Sequence, residues 1–339
     1  METRTLNPTL NKEDPITVEV DRALSKIVCL AGFAVVSAFG FSYFLLRYIE
    51  NGDSGFFWLG AGSGIIFLSV FLLNVFFIKA RWRANLIIFI EALGLLAGLY
   101  SQFSLSLFWG ILAAALILIW AGEAGLAEIK NLLTVKFWRV GKRSLPKAIL
   151  ALSLVSGIAY YLNVAKSDWR EPKNFLISEP TFEKIIKPTS PLLKKFFPAV
   201  DLESATGDVL RNLALDQVEK NPEFKILSQS QKKVIIEKLI EESEKQLGEA
   251  TGIKLGREKR VGENLYYILL QKIVELPEKV QSVIPQAAAA LIVLTILSVS
   301  WLIRWLATVM AWIIYEILLA LGFAVLAMEG RSREIVLLK

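Results

Sequence analysis

Apolar residues along this chain come in blocks rather than in stripes. The first block runs from Ile27 to Tyr48, the second from Phe56 to Ile78, the third from Ala84 to Ser101 and the fourth from Leu107 to Gly122. A shorter fifth runs from Ala148 to Val164. After a long polar stretch comes a last block, Ile284 to Met328. A helix rises 1.5 Å per residue, so about 20 apolar residues cross a hydrocarbon core of roughly 30 Å. Each of the first five blocks reads as one crossing. The last block, at 45 residues, would form a helix of about 67 Å, over twice the core. It is therefore expected to fold back. In WLIRW, Arg304 stands between Trp301 and Trp305, a pairing of basic and aromatic residues typical of a membrane–water interface. The expected product is a helical hairpin, Ile284–Ile303 and Leu306–Met328, with those three residues as interface anchors.

The fold class predicted from this pattern is an all-α polytopic membrane protein with an inserted polar helical domain. Its expected parts are a tail over 1–26, a five-span region over 27–164, a polar domain over 165–282, the hairpin over 283–328 and a tail over 329–339. A basic loop, 125–147, interrupts the five-span region. The polar domain shows helical period throughout. SQSQKKVIIEKLIEESEKQLG opens with Ser228 and Gln231 at capping-box spacing, carries an apolar stripe through Ile235, Ile236, Leu239, Ile240 and Leu247, and meets a natural stop at Gly248. VGENLYYILLQKIVEL places Val261, Leu265, Ile268, Leu269 and Ile273 on one face, and DVLRNLALDQVEK is a third helix. Pro180, Pro188, Pro191 and Pro198 cut the first third of the domain into short pieces.

Charge sets the expected orientation. Lys and Arg collect in short loops on the cytoplasmic side of a membrane. Lys79, Arg81 and Arg83 lie between the second and third blocks without an acid. Lys130, Lys136, Arg139, Lys142, Arg143 and Lys147 follow the fourth, against Glu123 and Glu128. The opposing links, ENGDSG and SQFS, hold no cation. These loops place the N-terminus in the cytoplasm and residues 165–282 outside. Seven crossings would, however, leave the tail cations Arg331, Arg333 and Lys339 outside too. Six crossings remove that conflict. The polar N-terminus lacks the design of a cleaved signal peptide, so the first block is expected to be an uncleaved anchor in a plasma membrane, that of a prokaryotic cell. The stretch from Lys130 to Lys147 also suits an interfacial segment on an anionic leaflet, or a plain basic loop.

Composition narrows the chemistry. The chain of 339 residues is 54% hydrophobic with a net charge of +6, and the excess positive charge is placed for orientation rather than for nucleic acid. Cys29 is its single cysteine, which leaves no intramolecular disulfide. It contains no histidine, which removes the serine and cysteine triads and His-ligated zinc or haem. GAGSG at Gly60–Gly64 has neither the lysine of a phosphate loop nor a histidine for a serine protease. No span carries the paired aspartates of an aspartyl intramembrane protease. No catalytic, cofactor-binding or metal-binding residue is therefore expected.

Two acids lie within apolar blocks, Glu91 and Glu316. Placing a charge in lipid is costly, so each reads either as part of a proton or cation relay or as a packing residue hydrogen-bonded to a neighbour such as Asn74. On the hairpin reading Glu316 falls near mid-bilayer. Gly60/Gly64, Gly94/Gly98 and the looser Gly110/Ala114 have the spacing for close helix packing. The expected role is a non-enzymatic envelope protein that anchors 165–282 in the bilayer for binding a partner protein or envelope component. A transporter or channel using Glu91 and Glu316 comes second, and an enzyme acting on lipid-linked substrates third.

Overall fold

The structure, a computed structural model, describes residues 24–132, 136–166, 179–191, 195, 201–219, 228–252, 256–329 and 333–338. The N-terminal tail up to residue 23 and Pro198 lie outside these. The main helices among the described residues are α1 Leu24–Asn51, α2 Ser54–Phe77, α3 Arg81–Gly98, α4 Leu105–Lys130, α5 Phe137–Lys166, α6 Glu179–Ile186, α7 Thr206–Glu219, α8 Gln229–Thr251, α9 Val261–Val274, α10 Ile284–Ser298 and α11 Ser300–Ala320. Two strands, β1 Ala324–Glu329 and β2 Arg333–Leu338, follow. The chain divides into two compact units, Met1–Tyr160 with Ala289–Lys339, and Tyr161–Ala288.

The first unit is a helical membrane bundle. Among the described residues, six helical segments are long and apolar enough to cross a bilayer: α1, α2, α4, α5, Glu278–Ser298 and α11. The 18 residues of α3 include three charges, Arg81, Arg83 and Glu91, and set it apart from these. Phe33, Val36, Trp58, Leu116, Leu291 and Leu294 each expose more than half their surface. Such a shell of large apolar side chains is stable against lipid and not against water. The chain is a multi-pass membrane protein.

Glycines set the spacing within the bundle. A side chain at Gly60 would meet Leu45 and Phe44 of α1, and one at Gly64 would meet Phe41. Gly94 lies against Val35 and Ala38, and Gly98 against Ser42, Phe39 and Tyr43. Both pairs expected from the sequence thus receive the same helix, α1, one from α2 and the other from α3. Gly110 lies against Ile158 of α5. Local caps turn the chain between passes. Asp53 accepts from Gly55 N (2.9 Å) to start α2, after Gly52 with φ 69°, and Ser104 accepts from Leu107 N (3.2 Å) to start α4.

The expected terminal hairpin is not formed. Gly157 of α5 lies against Ala289 and Val293 of α10, Gly141 lies against Thr308 of α11, and Phe137 packs on Tyr315 with ring centroids 4.7 Å apart. Residues 137 and 157 stand about 30 Å apart along α5. A hairpin would bring α10 and α11 back to one level; instead they follow each other along α5, antiparallel to it. The interruption falls at Val299 (φ −94°, ψ 6°), with Ile303 N still bonded to Val299 O at 3.3 Å. One near-helical residue bends a helix; reversal needs a loop of roughly two to five residues. WLIRW therefore lies within a helix, not at a turn.

The second limb also stops early. Gly322, with φ 68°, follows the end of α11 at Ala320, and Ala324–Leu338 forms an antiparallel hairpin with Ala324 opposite Leu338 and Glu329 opposite Arg333. This hairpin is an addition to a fold that is otherwise helical. Lys26 Nζ donates to Phe323 O at 2.6 Å, so the start of α1 and the end of α11 share one end of the bundle. Counting α10 and α11 as one bent pass and α3 as a pass of its own, the described residues make six. The end of α11 then stands at the same end as the start of α1, as an even number of passes requires; Arg331 and Lys339 lie outside the described residues.

The polar unit closes around small cores of its own. Leu210 and Ala214 of α7 pack on Ile240 of α8, flanked by Ile236 and Leu239, as the stripe on α8 predicted. The capping box is present: Ser228 accepts from Gln231 N and Gln231 accepts from Ser228 N at 3.1 Å. α8 runs past Gly248 and stops at Gly252, which takes the left-handed conformation at φ 77°. The buried face of α9 also differs from the one expected. Tyr266 and Leu270 are enclosed, with Phe182, Tyr267, Ile273 and Val274 around them, whereas Leu269 is exposed. Burial follows the aromatic ring, the largest apolar surface on the helix.

Paired cysteines in a Cys29→Ser background test the bent pass. Gly157→Cys with Val293→Cys, and Gly141→Cys with Thr308→Cys, are both expected to cross-link within one chain. Phe137→Cys with Val293→Cys is expected not to, and a hairpin would reverse that last result.

Candidate functional site

Polar groups of the bundle gather at two places. The first is a buried pair between α2 and α3. Glu91 is 0% exposed and Asn74 is 4% exposed. Asn74 Nδ2 donates to Glu91 Oε1 at 2.9 Å. The other two oxygens, Glu91 Oε2 and Asn74 Oδ1, have no hydrogen-bond partner among the described residues. These atoms are complementary only when Glu91 carries a proton, for then its O–H can donate to the amide oxygen. The pair fastens two consecutive passes, which is the packing role that the sequence had set beside a relay.

Glu316 stands elsewhere. It lies on the exposed side of α11, one residue beyond Tyr315, whose ring packs at a tilt on Phe137 at the first turn of α5 and on Phe77 at the last turn of α2. It is thus close to the end of a pass, and the mid-bilayer position expected from the hairpin does not hold. No hydrogen bond or ion pair joins it to Glu91 among the described residues. Trp301 and Trp305 are exposed, as anchors would be, whereas Arg304 is half-buried.

The second place is the basic end of the bundle, where α1 begins and α11 ends. Glu128, at the end of α4, is nearly enclosed, with Arg139 Nε at 2.6 Å from one carboxylate oxygen and Arg143 Nε at 3.5 Å from the other. Arg81 Nε approaches Glu123 at 3.6 Å, and Lys147 Nζ lies 4.8 Å from the centre of the Trp120 ring. Beside this network, α5 and α11 enclose a cleft. One part, of about 160 Å³, is lined by Trp138, Lys142, Arg304 and Thr308. An adjoining part, of about 480 Å³, is lined by Lys136, Arg139, Val309 and Trp312 among others. The sequence pointed to Lys136, Arg139 and Lys142 as loop cations and to Arg304 as a turn anchor. Only the bent pass shows that they share a cleft.

In the polar unit the charges pair across elements. Arg257 donates to Glu244 (2.5 and 2.8 Å) and to Glu237 (2.7 Å), which clips the segment after α8 back onto it. Asn264 donates to Thr206 Oγ1 at 2.7 Å and to Gly256 O at 3.0 Å, tying α9 to α7. Burial pushes the Tyr266 hydroxyl up to about 12. The hydrogen bond that Lys187 donates to Glu203 holds the Glu203 carboxyl below the usual range and raises the Lys187 ammonium above its own. Bonds from Lys272, then Gln271, lower Glu275. No family model matches the chain, and no curated protein or solved structure is similar to it.

Two tests follow. Glu91→Ala leaves the Asn74 amide buried without its partner and is expected to cost about 1–3 kcal/mol, seen as a lower unfolding midpoint in neutral detergent. Glu91→Gln restores both complementary bonds and is expected to stay near wild type. A Gln variant as weak as the Ala variant would show that the charge matters. The ion pairs of the polar unit predict a pH profile. Carboxyls lowered in the folded state stabilise it above roughly pH 4.3, the unfolded value, and lose that effect as pH falls through their folded values. The raised lysine stabilises below about pH 10.4 and loses its effect as pH rises further. Circular dichroism melts of the full chain should therefore be flat between about pH 5 and 9 and weaken on both sides.

Proposed function

We propose that the protein is a non-enzymatic envelope protein of a prokaryotic plasma membrane, and that its bundle presents residues 165–282 outside the cell for binding a partner protein or envelope component. The observation that carries this reading is the even number of passes. Both ends of the bundle's chain lie together, at the end that also holds the basic links around Lys79–Arg83 and Lys130–Lys147. By the charge rule that end faces the cytoplasm. The points where the chain leaves the bundle after α5 and rejoins it at α10 belong to the opposite end, so the insertion between them is extracytoplasmic.

Further support lies in how the polar unit is held. Several of its charges form internal pairs, such as Arg257 with Glu237 and Glu244, and three of its exposed apolar residues, Val234 (56%), Leu213 (43%) and Leu247 (41%), lie on its α7 and α8 helices. A relay through Glu91 and Glu316 has less support, because one is enclosed and bonded while the other is exposed near the end of a different pass.

Single cysteines in a Cys29→Ser background test the reading in intact cells. Gln231→Cys is expected to react with an impermeant maleimide, and Lys130→Cys is expected to react only after permeabilisation. The reverse pattern would move the unit to the cytoplasm. A photo-crosslinking residue at Val234 in the full-length chain is then expected to trap an envelope component, and trapping of water alone would count against a binding role.

A further inference from the structure

The cleft between the first turns of α5 and the middle of α11 combines features that point to one kind of ligand. Lys136, Arg139, Lys142 and Arg304 bring four cations to its two parts, and no acidic side chain lines either. Arg139 is engaged by Glu128 through Nε at 2.6 Å. Lys142 and Arg304, which share the smaller part, have no acidic partner among the described residues. Arg304 is only half-buried and Thr308 is 3% exposed, so the inner wall of the cleft is formed and not merely an open surface.

Two cations from different helices repel when nothing lies between them, and the more so where lipid and protein lower the dielectric. An anion removes that repulsion. The remaining wall is apolar and aromatic: Trp138 and Trp312 are exposed, and Val309 lies between Thr308 and the exposed Met310. Toward α10, Trp301, Leu294 and Leu291 are exposed and offer apolar surface suited to acyl chains. Such a site takes a molecule that is anionic at one end and greasy at the other.

We propose that this cleft binds the phosphate headgroup of an anionic glycerophospholipid, with Lys142 and Arg304 holding the phosphate and its acyl chains lying along the exposed face of α10 and α11. Arginine offers a planar fork of donors and lysine a point charge, and basic pockets between passes near an anionic leaflet recognise such headgroups. The bilayer, in which the cleft opens, supplies this ligand at high local concentration. A soluble phosphate would supply the charge but leave the apolar wall bare.

Native mass spectrometry of the full-length protein in neutral detergent, with equimolar dioleoyl phosphatidylglycerol and dioleoyl phosphatidylcholine added, tests the proposal. Wild type is expected to retain phosphatidylglycerol in preference. Removing both charges in Lys142→Gln/Arg304→Gln is expected to lower that preference by about thirtyfold, from roughly one charge's worth of attraction each. Lys130→Gln, a cation outside the cleft, is expected to change it little. Lys142→Arg/Arg304→Lys keeps the charges and should keep the preference. Equal retention of the two lipids by wild type would overturn the proposal without any variant. So would a double variant that binds as wild type does, or inorganic phosphate that displaces the lipid at equal concentration.

Discussion

Close approach to α1 is the constraint on which the bundle depends. Within lipid there is little hydrophobic force to join one helix to another, so association rests on packing and on a few polar contacts. Here α2 offers Gly60 and Gly64 and α3 offers Gly94 and Gly98, and all four face α1. Side chains at Gly94 and Gly98 would run into the α1 backbone itself. With α1 seated, α2 and α3 are held side by side, and Asn74 and Glu91 meet between them. The acid–amide pair is thus a consequence of the glycine spacing as much as a cause of the fold.

From that seam the rest is added in order. α4 packs on α3, with Gly122 against Ile88, and α5 packs on α4, with Ser144 donating to Ala121 O at 2.9 Å. The last pass sits on both α2 and α5, where Ser69 donates to Ala307 O at 3.1 Å and Gly141 receives Thr308. This placement turns scattered loop cations into a cleft. It also explains why Arg304 is half-buried: it shares a cleft with Lys142 and Trp138 of α5, and no hairpin turn surrounds it.

Much of this was legible in the residues, and the failures have physical causes. The spans, the glycine pairs, the Ser228–Gln231 capping box and the Asn74–Glu91 pairing follow from local spacing and from the cost of a lone acid in lipid. The terminal block was misread because length alone cannot separate two crossings from one bent helix that outruns the hydrocarbon. Gly322 and the apolar EIVLL beyond it carried the signal for a short hairpin, but six-residue strands give little periodicity. On α9, the stripe through Leu265 and Leu269 looked as apolar as the one through Tyr266 and Leu270, and the ring at Tyr266 decided between them. The basic cleft was illegible because Lys142 and Arg304 are far apart in sequence and meet only when the last pass is laid against α5.

That last pass also governs assembly. Ser69 and Ala307 are separated by 238 positions in the chain. A ribosome adding about 5–20 residues per second takes many seconds to bridge that interval. Throughout it, the grooves of α2 and α5 that receive α11 are already in the membrane and empty, and the whole polar insertion must be made before they can be filled. The bundle therefore waits, incomplete, on its own final helix. Whatever shelters those seats in the meantime, be it lipid or an insertion factor, must leave readily enough for the helix to take its place.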